Sequence, residues 1–321
     1  MSHPIAAAAL AAGFLDVKPA TGHPLDFWRE TLDRIPFGKV FSMEHRPEEL
    51  SGWSSETTIW SATLSAPPFA PWPDGYGEVS GYYMALGENG RKETAWAQAV
   101  RDMGYEVIDN PQLPSRAIAI RAGLGISGLF GPMITPLHGS FVDIGTIIVR
   151  MIPPDGTRGP EHDRSPVCEK CGNCVSACPT GAITSDGVDQ MKCLQMIMYY
   201  PDSMPEEHYS LMGRRIVGCD ACQLVCPHNR NIAAIVPSAE IIAPFKLGEL
   251  LAEPNTDAIA SRITAHFTNI TKLRIQSVLA AANTGRTDLL PNIYKFADSE
   301  EETLRRVFDW ATKKLARGNR V

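Results

Sequence analysis

The residues of this chain whose type and spacing could do chemistry are its cysteines, and all of them lie in the carboxyl half. Cys168, Cys171, Cys174 and Cys178 run up to Pro179, Cys193 stands alone, and Cys219, Cys222 and Cys226 run up to Pro227. The first run has the C-x₂-C-x₂-C-x₃-C-P spacing that ligates iron–sulfur clusters, in an arrangement whose fourth cysteine serves the other of two clusters. The second run matches the last three positions of that pattern, and Cys193 supplies the missing first one. Eight thiolates then make two four-cysteine sites with none left over. The exchange rule gives one cluster Cys168, Cys171, Cys174 and Cys226, and the other Cys178, Cys193, Cys219 and Cys222, both as 4Fe-4S cubanes. Structural zinc is a poorer reading, because zinc sites use two separated C-x-x-C pairs. Disulfides do not suit a chain without a secretion signal.

These cysteines must be positioned by a much larger protein. At 321 residues and 44% hydrophobic, the chain can bury a substantial core and form two or three domains. Its amino terminus has a short apolar run, Ile5 to Leu10, without a basic leader, and no stretch is long enough to span a membrane. A cytoplasmic location is expected. The net charge of −6 argues against wholesale coating of nucleic acid.

Three regions are expected. Residues 1–156 intermix helices and strands: a helix from Arg91 to Met103, a strand from Tyr105 to Ile108 ending at Asp109, and a helix from Arg116 to Ala122 capped by Ser115. Phe141 to Met151 is rich in β-branched residues and reads as a buried strand. The turn-rich segment Met151 to Pro166 marks a boundary. A two-cluster, ferredoxin-like domain occupies 157–235. Residues 236–321 read as helical, with segments at Ala258 to Phe267, Leu273 to Ala282 and Leu289 to Phe296. In the last helix Ser299 and Glu302 form a capping box, and Leu304, Val307, Phe308, Ala311 and Leu315 share a face. The fold class is α/β (mixed α+β) with a ferredoxin-like domain and a carboxyl-terminal HEAT-like region.

Gly123, Gly125 and Gly128 spell G-x-G-x-x-G, and Asp143 lies downstream at the distance of a ribose-binding acid. A dinucleotide site needs a strand before the glycines and a helix after them. Here a helix precedes them and Pro132 and Pro136 interrupt the segment after them, so the run is expected to make tight turns or to admit another flat ligand. Asp109, at a strand end before a Pro-rich turn, is a candidate proton donor, or else a turn residue. Tyr82, Tyr83 and His138 are secondary candidates, and the methionines from Met191 to Met212 are read as core filling.

The run Arg121-Ala122-Gly123-Leu124-Gly125, the segment Ile134 to Ser140 and the pattern Gly218-Cys219-Asp220-Ala221-Cys222-Gln223-Leu224-Val225-Cys226-Pro227 resemble the cobalamin-dependent reductases, which comprise epoxyqueuosine reductase and the reductive dehalogenases. The resemblance covers most of residues 80–321. It implies an amino-terminal cobalamin-binding domain that holds the cofactor base-off, two clusters that reduce cobalt to cobalt(I), and reduction of an organic substrate. By the same resemblance Arg121, Gly123, Leu124, Gly125, Gly128, His138, Gly139 and Ser140 would line the corrin. The chain departs from epoxyqueuosine reductases in lacking a downstream D-Y-H after Gly81 to Gly90. It also has Val107-Ile108-Asp109-Asn110-Pro111 where they show V-D-x-A-P.

Residues 246–321 carry twelve Lys or Arg against nine Asp or Glu, a mildly basic tail. Because phosphate contacts dominate nucleic-acid affinity, a small-molecule substrate is expected in preference to tRNA, with a ferredoxin or flavodoxin as electron donor. Two further functions are open: a corrinoid-binding electron-transfer protein without substrate chemistry, and a cofactor-free iron–sulfur carrier.

Overall fold

The computed structural model describes residues 3–22, 57–109, 113–163, 168–263 and 268–318. The chain divides into two compact units, Met1–Ser65 with Glu88–Cys171, and Ala66–Gly87 with Gly172–Val321.

Unit 1 is built on an antiparallel sheet of β1 (Asp16–Thr21), β2 (Thr57–Ser65), β3 (Val107–Asp109) and β4 (Val142–Arg150), in the order β1-β2-β4-β3. Its helices include α1 (Pro4–Ala11), α2 (Gly81–Asp102, belonging to this unit from Glu88 onward) and α3 (Ser115–Arg121). Successive side chains of a strand point to opposite faces, and β2 and β4 use both. Ile59, opposite Ile148, packs with Ile118 and Ala119 of α3. Trp60, opposite Ile147, joins Ala62, Leu64 and Val149 against Ile5 and Ala9 of α1 and Trp96, Ala97 and Val100 of α2. Each of the large side chains here contributes about 1.5–3 kcal/mol by burial. The Trp96 indole N–H is satisfied by the Ile5 carbonyl at 3.1 Å.

The strand expected at Phe141 to Met151 is β4, a continuous apolar run because both its faces are covered. The helix expected from Arg91 begins ten residues earlier, at Gly81, despite Gly87 and Gly90. Helix α3 is capped by the backbone of Pro114, and the Ser115 hydroxyl instead donates to the Leu113 carbonyl. Arg121 at its end is fully buried and makes a two-pronged ion pair with Asp163 at 2.5 and 2.6 Å.

Unit 2 has one continuous core. Leu194, Ile197 and Met198 of the cysteine-bearing region belong to the same apolar cluster as Leu273, Val278, Leu304 and Val307 of the terminal helices. This is why the boundary expected at residue 235 does not separate compact bodies. The cluster region has too few apolar residues to close a core and takes one from the helices beside it. The last helix, Glu302–Gly318, buries Leu304, Val307, Ala311 and Leu315 on one face. Ser299 caps the preceding turn at the Glu301 N–H rather than Glu302. The helix expected at Ala258 to Phe267 spans Thr256–Ile263, and residues 264–267 lie outside the described set. Met198, Met204 and Met212 fill the core, as expected, whereas Met191, from the same expectation, is exposed because its 3-10 turn lies at the surface. Among the described residues no helix is long and apolar enough to cross a membrane.

In unit 1, half-buried Glu93 on α2 lies against Asp143 on β4, which accepts a hydrogen bond from Asn89 at 3.2 Å. Burial first, and the Asp143 charge second, push Glu93 from an ordinary 4.5 up to about 8. Burial raises Asp143 as well. A carboxyl raised in the folded state stabilises it fully below the unfolded pKa, and that contribution is lost as pH rises through the folded value. The denaturant midpoint should therefore fall from about pH 4.5 to about pH 8 on account of this group. Glu93→Gln should make that fall shallower; an unchanged slope in a pH series of urea melts would contradict the assignment.

Candidate metal centre

The chain around the cysteines is bent by local sequence. Lys170 sits in the left-handed region at φ 53°, and Gly172 is also there at φ 85°, starting the helix Asn173–Ala177 that carries Cys174. Proline disfavours helical backbone in the residue before it. Accordingly, Cys178 before Pro179 and Cys226 before Pro227 are both extended, at ψ 115° and 127°. Cys193 adopts the same conformation, ψ 125°, at the start of the helix Leu194–Tyr199. Three cysteines from separate places in the chain thus leave or enter a helix with the same backbone.

Unit 2 brings the later part of the first cysteine run, from Cys174, against the second run. The helix Asn173–Ala177 packs on the helix Ala221–Leu224, and the Asn173 amide donates to the Val225 carbonyl at 3.4 Å. Cys174 and Cys226 are both buried. Cys178, Cys193, Cys219 and Cys222 lie close enough for their charges to act on one another. Burial first and the Cys178 charge then raise Cys193; burial and the charges of Cys219 and Cys193 raise Cys222. Cys219 is likewise raised, by burial chiefly, against the opposing pull of Arg215. Burial also opposes ionisation of Cys178, but hydrogen bonds from the Thr180 hydroxyl and the Thr180, Ile183 and Ala182 N–H groups outweigh it and hold that thiol below its ordinary range. Among the described residues no three His, Cys, Asp or Glu side chains have the spacing of a single-ion site.

This donor set fits an iron–sulfur cluster. Soft thiolates are what such clusters use, and N–H groups directed at the sulfurs of Cys178, Cys193 and Cys219 supply the hydrogen bonds that tune them. Cationic iron would offset the repulsion that burial imposes on neighbouring thiolates. Cys168 and Cys171 fall in unit 1, where the Cys168 N–H donates to the Ser127 carbonyl at 2.9 Å.

The remaining residues of the G-C-D-x-C-Q-x-V-C-P pattern are scaffold. Gly218 has φ +81° and a Cβ there would run into the Ser80 hydroxyl, so only glycine allows this approach. Asp220, pushed up to about 6 chiefly by burial, accepts the Gly81 N–H at 3.1 Å and so anchors the first turn of α2. The Asn229 amide donates to the Gln223 carbonyl at 2.7 Å. A cavity of about 370 Å³ reaches this corner, lined in part by Trp72, Ser80, Arg215, Cys219 and Asp220.

The residues expected around a corrin are engaged otherwise. Arg121 is committed to Asp163 and the Thr21 carbonyl. A Cβ on Gly123 would meet the Arg158 guanidinium at 2.6 Å, one on Gly125 the Ile134 carbonyl, and one on Gly128 the Pro132 carbonyl at 2.6 Å. Leu124 and Ser140 are buried. Gly139 closes a tight loop through its carbonyl, which accepts from the Thr135 N–H and hydroxyl, while the His138 N–H donates to that hydroxyl. The glycines therefore serve the chain's own packing. The dinucleotide reading also fails in context: α3 precedes the glycines, and a short hairpin, Ile126–Ser127 with Met133–Ile134, comes after them.

Asp109 ends β3 and pairs with Arg101 at 2.9 Å, half exposed; Asn110 and Pro111 lie outside the described residues. Tyr83 is buried and pushed above the ordinary phenol range by burial first and by Cys193 second. Tyr82 packs against it edge to face at 5.2 Å. Sequence reasoning missed the backbone donors around the sulfurs, which no side-chain pattern encodes.

Residues 167–229 match the family described as 4Fe-4S double cluster binding domain. An epoxyqueuosine reductase from Bacillus anthracis is 32% identical over 219 residues, 65% of this chain and 56% of that protein. The chain thus spans less than two thirds of the length of such relatives. The structure of epoxyqueuosine reductase from Streptococcus thermophilus aligns over 98% of this chain and 90% of that one, with TM-score 0.78 and 20% identity. A crystal structure of epoxyqueuosine reductase with a tRNA-Tyr epoxyqueuosine-modified tRNA stem loop aligns over 97% and 89%, with TM-score 0.76 and 20% identity. At that identity the likeness establishes the fold.

This last neighbour overturns the expectation of a small-molecule substrate in preference to tRNA. The charge sum behind it, over residues 246–321, says nothing about placement. Phosphate contacts are made by individual exposed cations, and Arg305, Arg306, Lys313 and Arg317 are all exposed on the last helix.

Cys193→Ser should abolish one cluster selectively, although that cysteine is isolated in sequence. Iron analysis and electron paramagnetic resonance should find about half the parental iron and one remaining reduced-cluster signal; full retention of both would contradict the ligand assignment.

Proposed function

Because this chain belongs to the epoxyqueuosine reductase family, we propose that it is an oxidoreductase that reduces epoxyqueuosine in tRNA, with two 4Fe-4S clusters as its electron conduit. The observation that carries the proposal is the coincidence of the family match over residues 167–229 with four mutually interacting thiols in unit 2. One cluster takes Cys168, Cys171, Cys174 and Cys226 on the spacing rule. The other takes Cys178, Cys193, Cys219 and Cys222. Reducing an epoxide consumes electrons in pairs together with protons, and two one-electron centres can supply such a pair in sequence.

Asp109 is the proposed proton donor. Its place at the end of a strand, before a Pro-rich turn, is one where α/β proteins carry site residues. Pairing with Arg101 holds its carboxylate in a defined position between turnovers. The helical region from residue 236 is proposed to be HEAT-like and to contact the tRNA backbone through exposed cations such as Lys313 and Arg317.

Base-off cobalamin enters the proposal on the family resemblance alone. When bound, it would supply low-valent cobalt chemistry. Anaerobic protein incubated with cobalamin and desalted should retain about one corrin per chain if the cofactor belongs to it. Loss of all corrin, with the clusters intact, would remove cobalamin from the proposal.

The activity is tested with a tRNA anticodon stem-loop bearing epoxyqueuosine and the chemically reduced protein. Conversion of the modified base is expected, and Asp109→Asn should slow it by roughly 10²-fold or more with unchanged iron content. Turnover at the parental rate would assign Asp109 to its turn and its pairing with Arg101. No conversion by the fully loaded parental protein would contradict the proposed substrate.

A further inference from the structure

The sulfur of Cys168 accepts a hydrogen bond from the Leu129 N–H at 3.3 Å, and the Cys168 N–H donates to the Ser127 carbonyl at 2.9 Å. Leu129 stands 39 residues upstream, at the end of the glycine run. The N–H donors directed at Cys178, Cys193 and Cys219 differ from it: all come from the few residues just after each cysteine, Ile183 after Cys178 being the furthest. Cys168 is thus served by a loop distant in sequence.

That loop is shaped for the task. The hairpin pairs Ile126 with Ile134 and Ser127 with Met133, and its turn is closed by the Gly128 N–H to the Pro132 carbonyl and the Gly131 N–H to the Gly128 carbonyl, both at 3.0 Å. A side chain at Gly125 or Gly128 would strike a carbonyl of the opposite strand or turn. Either would displace the backbone that carries the Leu129 N–H. Leu129 itself is buried, while Cys168 is half-buried.

We infer that the loop from Gly123 to Leu129 is a tuning arm for the iron–sulfur cluster that takes Cys168, with the Leu129 N–H setting that cluster's reduction potential. The inference rests on the proposed assignment of Cys168 as a cluster ligand. An N–H directed at a ligating sulfur draws off negative charge and so favours the reduced, more negative cluster. Displacing the loop would lengthen this bond and lower the potential. Leu129 acts on the cluster through Cys168 and is a positioning residue. The G-x-G-x-x-G run therefore acquires a role that does not involve a nucleotide.

Leu129→Pro removes the N–H and keeps an apolar residue, whereas Leu129→Ala keeps the N–H. In a potentiometric titration of the reconstituted protein monitored by electron paramagnetic resonance, Leu129→Pro should move one cluster to a lower midpoint. At a fixed potential its reduced-to-oxidised ratio should fall roughly fivefold, the effect of one net hydrogen bond. Leu129→Ala should leave the midpoint in place. A second measurement does not depend on the proline variant folding: protein labelled with ¹⁵N-leucine should show a ¹⁵N coupling in the electron spin-echo envelope of the reduced cluster. That coupling should vanish in Leu129→Ile made with the same label. An unshifted midpoint in Leu129→Pro with full iron content, no ¹⁵N coupling in the parent, or a coupling that persists in Leu129→Ile would overturn the inference. A parental protein without clusters would overturn the underlying ligand assignment instead.

Discussion

The structure of unit 2 turns on an electrostatic constraint: thiols that repel one another as thiolates are held together in a partly buried patch. Cys193, Cys219 and Cys222 are all raised by burial first, with the charge of Cys178 adding on Cys193, that of Cys193 on Cys219, and those of Cys219 and Cys193 on Cys222. Burying like charges is unfavourable unless something offsets it, and backbone N–H groups offset only a part. An iron–sulfur core would offset more of it, because each ligand charge is shared with cationic metal. The surrounding fold meets that requirement. Pro179 and Pro227 end their helices with the cysteine extended, and Gly218 lets the backbone approach Ser80 closely enough for Asp220 to cap α2.

The cysteine ladder was legible because spacing alone encodes it, and β4 was legible because an apolar strand covered on both faces announces itself. Strand β2 was not, although it is the centre of the unit 1 sheet. Its sequence alternates Ile59, Trp60 and Leu64 with Thr58, Ser61 and Thr63, all buried. Hydroxyl residues in a β-branched context read as a surface strand or a loop until their burial is known. Helix α2 was cut short for a related reason: Gly87 and Gly90 lower helix propensity. A side chain at Gly87 would meet the Ser261 carbonyl at 2.9 Å, so close packing keeps that glycine in the helix.

Domain limits and substrate class were read less well, for physical reasons that differ. The ferredoxin-like segment contributes Leu194, Ile197 and Met198 to a core completed by the terminal helices, and no local composition shift marks a core shared across 80 residues or so. Substrate class was inferred from net charge, a scalar that discards geometry. The glycine run shows the opposite case. Its order in the chain, a helix before and a hairpin after, departs from a dinucleotide fingerprint, while its actual neighbours, Arg158, Ile134, Pro132 and, through Leu129, Cys168, lie beyond what spacing can show.

The central claim is that this chain carries two cubanes built from all of its cysteines. Iron and acid-labile sulfide analysis of the anaerobically reconstituted full chain, with Mössbauer spectroscopy of the same sample, tests it most directly. The account predicts about eight irons and eight sulfides per chain, all in 4Fe-4S form. About four irons per chain, or tight zinc in place of iron at these thiols, would contradict it.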